Sequence, residues 1–227
     1  MDQENHSRMT EFVLHGLSGA RELQLLYFVF FTLFYSSLLL GNLLIVLTVL
    51  SEPVLHTPMY FLLSNLSFID AYLSTLATPN MIFDFFMEHN TISFEGCMAQ
   101  IFFGHIISGG DMMLLVSMAY DRYVAICRPL HYTAIMSIRK CAGLVVASWL
   151  IGFLHSASQL FFIVNLPFCG PNNVDSFFCD LLLVIKLVCT DTYIFEILIR
   201  LNTDILGLCC FVLLFISYTV ILVTMQR

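Results

Sequence analysis

The sequence predicts an all-α transmembrane helix bundle, and three observations carry that expectation. Of its 227 residues, 59% are hydrophobic and 11% charged, against about 45–50% and about 25% in an ordinary soluble domain. Mean hydropathy is +0.89, so too few charges remain to coat a water-soluble surface. Five stretches reach the roughly 20 mostly apolar residues that a lipid-spanning helix needs. Each run is continuous rather than alternating over about ten residues, which favours helices over barrel strands. This composition excludes a cytosolic enzyme and a disordered chain. The formal charge of −7 argues against nucleic acid, whose phosphates require a basic footprint.

Residues 1–24 are polar and mixed in charge and read as an extracellular tail before the membrane-spanning region 25–227. The first span, about 25–50, carries no charged side chain. It is too long for a signal-peptide core, and is expected to insert as a signal-anchor. The second, about 58–86, carries Asp70 near its middle. The third, about 97–120, carries His105 and Asp111. The fourth covers about 141–164, and the fifth about 197–225, with Arg200 and Asp204 in its first turns.

Orientation follows from Lys and Arg in short loops. Arg122, Arg128, Arg139 and Lys140 lie between spans three and four, and Arg227 follows span five. Arg8, Arg21, Lys186 and Arg200 are spread over longer segments on the other side. The bias puts the N-terminus outside and the Arg122–Lys140 loop in the cytoplasm. Asn5-His6-Ser7 is a glycosylation sequon in the outer tail, whereas Asn65-Leu66-Ser67 is mid-span and unreachable. Cys97, Cys169, Cys179 and Cys189 fall on the outer side, where disulfides persist. Cys127 and Cys141 fall on the inner side, and Cys209 and Cys210 inside the membrane. Four outer cysteines allow three pairings, which arithmetic does not separate. The segment from 165 to 196, roughly 30 residues, holds three of them; a loop of that length is functional or disordered, and cross-linking favours function.

Several strings are more specific. Gly41-Asn42 lies in the first span, and the second opens Pro58-Met59-Tyr60-Phe61-Leu62-Leu63-Ser64-Asn65-Leu66-Ser67-Phe68-Ile69-Asp70. The third ends Met118-Ala119-Tyr120-Asp121-Arg122-Tyr123-Val124-Ala125-Ile126-Cys127, then Arg128-Pro129-Leu130-His131-Tyr132. The long loop contains Leu166-Pro167-Phe168-Cys169-Gly170-Pro171-Asn172 and Phe177-Phe178-Cys179-Asp180; Ser217-Tyr218 closes the fifth span. Together these closely resemble the odorant receptors of land vertebrates, within the rhodopsin-like G-protein-coupled receptors. The resemblance runs from the sequon to Arg227. Asn80 stands where the family usually has Lys, and Asp111 where Glu is usual.

The resemblance implies a seven-span fold of which five spans are present. It implies a receptor that binds small volatile molecules from outside and activates a stimulatory heterotrimeric G protein in sensory transduction. No enzymatic activity and no cofactor are expected. Membrane lipid and receptor-trafficking chaperones are expected partners, and the plasma membrane is the expected location. The alternative is a truncated, non-signalling fragment or pseudogene product, retained in the cell or associating with full-length receptors. A five-span transporter would need broken helices that the sequence does not show.

The site expectations follow the same resemblance. Cys97 should pair with Cys179, and Cys169 with Cys189. Asp121, Arg122 and Tyr123 should form an ion-paired latch in which Asp121 holds Arg122 at rest, with Tyr218 supporting the released Arg122; the plainer reading is an interfacial Arg snorkelling to headgroups. Asn42, Asp70 and Asp111 form a polar hub, with Asn42 and Ser67 available to hydrogen-bond Asp70. Two nearby intramembrane carboxylates would share a proton or recruit sodium. The ligand pocket is expected between spans three, five and six, at the outer third. Gly104, His105, Ser108, Gly109 and Met112 share one face of span three at helical spacing, and Asn202, Thr203, Ile205 and Leu206 are the set on span five. For Gly104, Ser108 and Gly109 the plainer role is close helix packing. His105 reads more simply as a hydrogen-bonded core residue than as a metal ligand. His56, His131 and His155 are scattered and form no ligand pair.

Overall fold

The computed structural model describes residues 11–14, 21–84, 90–161, 163–164, 166–168, 172–174, 176 and 178–226. Five long helices dominate: α1 (Arg21–Ser51), α2 (Pro58–Asp84), α3 (Phe94–Cys127), α5 (Ile138–Phe161) and α7 (Tyr193–Met225). Two single-turn helices, α4 (Tyr132–Ile135) and α6 (Leu181–Val184), sit in the connections. Among the described residues α1, α3, α5 and α7 are long and apolar enough to cross a membrane. Helix α2 carries Ser64, Asn65, Ser67, Asp70, Ser74 and Thr75 along its length. In lipid a polar side chain must find an internal partner. Accordingly Ser36, Ser37, Thr48 and Ser51 on α1 donate to the carbonyls of Thr32, Leu33, Leu44 and Leu47 one turn back.

The helix starts have local causes. Pro58 opens α2, where its missing N–H is not needed. Ser93 caps α3 by accepting from the Gly96 N–H at 3.1 Å. Asp180 caps α6, its Oδ1 accepting from Leu182 N at 2.8 Å and Leu183 N at 3.3 Å. α1, α3, α5 and α7 differ in extent from the apolar runs; α3 begins three residues before Cys97 and continues seven beyond Tyr120. The hydrogen-bond ladder continues through interfacial residues that lipid does not require to be apolar. Residues 85–89, which include the expected end of the second span, lie outside the description.

Helix α3 is the centre of the bundle, packing most extensively on α5 and also on α7 and α2, while α1 leans on α2. The α3–α5 crossing is close because glycines face each other. A Cβ on Gly109 would lie 3.1 Å from the Gly152 Cα, and one on Gly152 would collide with the Ile106 carbonyl and stand 2.8 Å from the Gly110 nitrogen. Ser156 Oγ donates to the Phe102 carbonyl across the same seam at 2.7 Å. Between α5 and α7, Gln159 Nε2 donates to Thr203 Oγ1 at 2.9 Å and the Ile199 carbonyl at 3.3 Å. Between α7 and α3, Ser217 Oγ donates to the Ala119 carbonyl at 3.1 Å.

The helical bundle also carries one small sheet. At the Cys97 end of the bundle lies a three-stranded sheet of β1 (Glu11–Leu14), β2 (Asn90–Ser93) and β3 (Asn173–Val174), ordered β2-β1-β3. β1 is antiparallel to β2, with Phe12 opposite Ile92, and parallel to β3. Strands of two to four residues are too short to show a period in sequence. Phe12 and Leu14 are buried in a cluster with Cys97, Met98, Ile101, Leu181 and Ile185.

Candidate functional site

A cavity of about 640 Å³ lies under that sheet, beside α3. Gly104, His105 and Ser108 line its α3 wall, Leu73 comes from α2, and Phe178, Cys179, Asp180 and Leu181 form the loop side. Its size and its largely apolar lining with a few polar groups suit a small organic ligand. The Cys97–Cys179 disulfide ties the loop to α3, and the Cys179 N–H donates to Gln100 Oε1 at 3.2 Å. Cys189 is also disulfide-bonded. Cys169, the partner implied by the resemblance, and Asn5 of the sequon lie outside the described residues.

The expected single ligand face of α3 divides in two. Gly104 has open space around it and lines the cavity, whereas Gly109 is consumed by the α5 crossing. Met112 is exposed and not part of the lining. The α7 set divides likewise. Thr203 accepts from Gln159, and Asn202 Nδ2 donates to Ser158 Oγ at 2.8 Å. Leu206 reaches toward Gly109, and Ile205 is exposed. Asn202, Thr203 and Leu206 hold α7 against α5 and α3, and none of the four lines the cavity.

His155 is not isolated. Its ring lies edge-on to His105, with centroids 5.9 Å apart. Fifty residues of sequence separate the two histidines, and the glycine crossing brings them together. The signal available in sequence was the polar run His155, Ser156, Ser158 and Gln159 on an otherwise apolar helix.

Asp70 on α2 and Asp111 on α3 are electrostatic neighbours. Asp111 Oδ1 is buried with no hydrogen-bond partner. Among the described residues neither Asn42 nor Ser67 donates a side-chain hydrogen bond to Asp70, so what remains of the hub is the charge interaction between Asp70 and Asp111. An unpartnered buried oxygen beside a second carboxylate fits a shared proton or a small monovalent cation. Among the described residues no group of three or more His, Cys, Asp and Glu is placed to hold a metal ion.

At the other end of α3 lie Asp121 and Arg122, the two residues of the expected latch. Asp121 is 1% exposed and accepts a hydrogen bond from the Tyr132 hydroxyl of α4 at 2.9 Å. Arg122 is exposed. Consecutive helical residues point about 100° apart, so Asp121 faces α4 while Arg122 faces outward. Arg122 still acts on Asp121 through charge. Burial and the Asp121 carboxylate push the Tyr132 phenol up to about 12. Tyr123 is half-buried against the apolar cluster around Leu114 and Val124, and Tyr218 is exposed. Sequence reasoning missed Tyr132, though it closes the string that carries the resemblance.

A helical bundle organised on one central helix, with a disulfide-tethered loop over a cavity at one end and Asp121-Arg122-Tyr123 at the other, defines a rhodopsin-like G-protein-coupled receptor. Residues 31–227 match the family model described as olfactory receptor. Human olfactory receptor 4K3 is 60% identical over 227 residues, covering 100% of this chain and 72% of that receptor. Human olfactory receptor 4K15 is 62% identical over 227 residues, covering 100% and 70%, and human olfactory receptor 4K14 is 59% identical over 228 residues, covering 100% and 74%. The chain belongs to the olfactory receptor family and is a membrane receptor rather than an enzyme.

Proposed function

We propose that this chain serves odorant reception at the plasma membrane, binding a small volatile molecule in the α3 cavity and signalling to a stimulatory heterotrimeric G protein. The N-terminus and the disulfide end face outside, Arg122 faces the cytoplasm, and α2 crosses the membrane with the other four long helices. The carrying observation is that one 34-residue helix holds both the cavity wall at Gly104, His105 and Ser108 and the Asp121-Arg122-Tyr123 end. The apolar lining supplies burial, and His105, Ser108 and Gln100 offer hydrogen bonds to one polar group on the ligand. Asp70 and Asp111 would hold the proton or sodium ion between them. A ligand that favours one arrangement of α3 against its neighbours shifts the population in which Arg122 is presented to the G protein.

The test is a cyclic AMP assay on these residues, with the part of olfactory receptor 4K3 that the match leaves uncovered supplied in register. An odorant panel should produce a ligand-dependent rise, and Arg122→Ala should abolish it at equal surface expression. A rise that survives Arg122→Ala would sink the reading.

A further inference from the structure

Among the described residues, the Cys97–Cys179 bridge is the covalent tie from the cavity's loop side to α3. A single tether is a swivel, and a loop needs a second fixed point to hold one position. Strand β1 supplies it. It lies between β2 and β3, and the Val13 N–H donates to the Asn172 carbonyl at 2.7 Å. Phe12 is 0% exposed. Its ring stands 5.9 Å from that of Phe94 on α3 and 6.3 Å from that of Phe168 on the long loop. Phe94 and Phe168 also meet, at 5.3 Å. Three residues belong to both the clamp and the cavity. Ile92 opposes Phe12 in register and lines the cavity, while Cys179 and Leu181 are in the Phe12 cluster and line it too.

We propose that strand Glu11–Leu14 is the clamp that fixes the Cys179–Leu181 loop over the α3 cavity, making Phe12 a positioning residue for whatever occupies it. That the occupant is an odorant rests on the proposed function; the clamp itself does not. Phe12 acts through Phe168, Ile92 and Leu181 without lining the cavity.

The experiment uses the full chain in lipid nanodiscs and a charged thiol reagent, methanethiosulfonate ethylsulfonate. Gly104→Cys places a thiol on the cavity wall, where an added Cβ meets nothing within 4 Å. Labelling at position 104 is read by peptide mass. Phe12→Ala should raise the labelling rate at least about fivefold, with Cys97–Cys179 intact. Cys141, buried at the far end of the bundle, must stay unlabelled; a rise there would report unfolding rather than release of the loop. A Val13→Cys, Thr91→Cys bridge should return the rate to that of the parent. Val13 turns its N–H to the β3 side, so Val13 and Thr91 form the close, non-hydrogen-bonded kind of pair. If the alanine variant unfolds, Phe12→Leu decides, because it keeps the strand apolar but removes the ring. Increased labelling at 104 with Cys141 silent supports the clamp. An unchanged rate, or one the bridge does not restore, overturns it. The readout needs neither odorant nor G protein, so its failure and that of the receptor reading are separable.

Discussion

Tyr132 reaches from α4 to donate a 2.9 Å hydrogen bond to Asp121, so the connection after α3 holds the acid of the Asp121-Arg122-Tyr123 string. The bond fixes α4 against the end of α3 and leaves Arg122 exposed. A buried carboxylate that loses its donor is costly, by about 1–3 kcal/mol or more. Tyr132→Phe is therefore expected to lower thermal stability in nanodiscs by an amount of that order. An unchanged melting temperature would show that the bond contributes nothing.

The same bond predicts a pH response. The phenol is pushed above its ordinary value near 10 to about 12. A raised folded-state value contributes stability that is fully present below about 10 and lost as pH rises through about 12. The difference between the parent and Tyr132→Phe should stay flat through the neutral range and shrink only in strong alkali. A difference that changes between about pH 6 and 8 would assign the effect to another group.

The glycines of α3 and α5 are not equivalent. Gly152→Ala must push against the Ile106 carbonyl and the Gly110 nitrogen, both backbone. Overpacking of this kind costs roughly 1–3 kcal/mol, and the seam it opens also brings His105 to His155. Gly104→Ala meets open space and should be neutral or slightly stabilising. Thermal unfolding of the two variants side by side checks the order; equal losses would contradict it.

These contrasts mark what was legible in the sequence. Lipid demands long apolar runs, so all five helices could be read directly, but only where lipid imposes that demand. Their ends could not, because polar residues continue the ladder at the interface. Strand β1 is four residues, Glu-Phe-Val-Leu, whose alternation acquires meaning only opposite Ile92. Gly104 and Gly109 are five residues apart on one helix and read alike, yet one lines a cavity and the other a crossing. Which is which depends on Gly152, forty-three residues on. The Cys97–Cys179 pairing came from family resemblance, since four outer cysteines left three choices open.

Asp70 and Asp111 give a fourth prediction. Two carboxylates that act on each other through charge, one with an unpartnered buried oxygen, should make stability respond to a small monovalent cation. Sodium chloride should raise the melting temperature relative to choline chloride at equal ionic strength. Asp111→Asn should remove that difference, because it deletes one of the two charges. A sodium effect that persists in Asp111→Asn would place the ion elsewhere.

The link between cavity and signal is tested most directly by filling the cavity. Gly104→Trp projects a large side chain from α3 into the space shared with Leu73, Phe178 and Leu181. The measurement is ligand-dependent cyclic AMP at saturating odorant, in the same 4K3-completed receptor, normalised to surface expression. The expected result is loss of the response to ligands that activate the parent, with the Cys97–Cys179 bridge intact. A response with unchanged potency in Gly104→Trp would contradict the assignment of the α3 cavity as the odorant site.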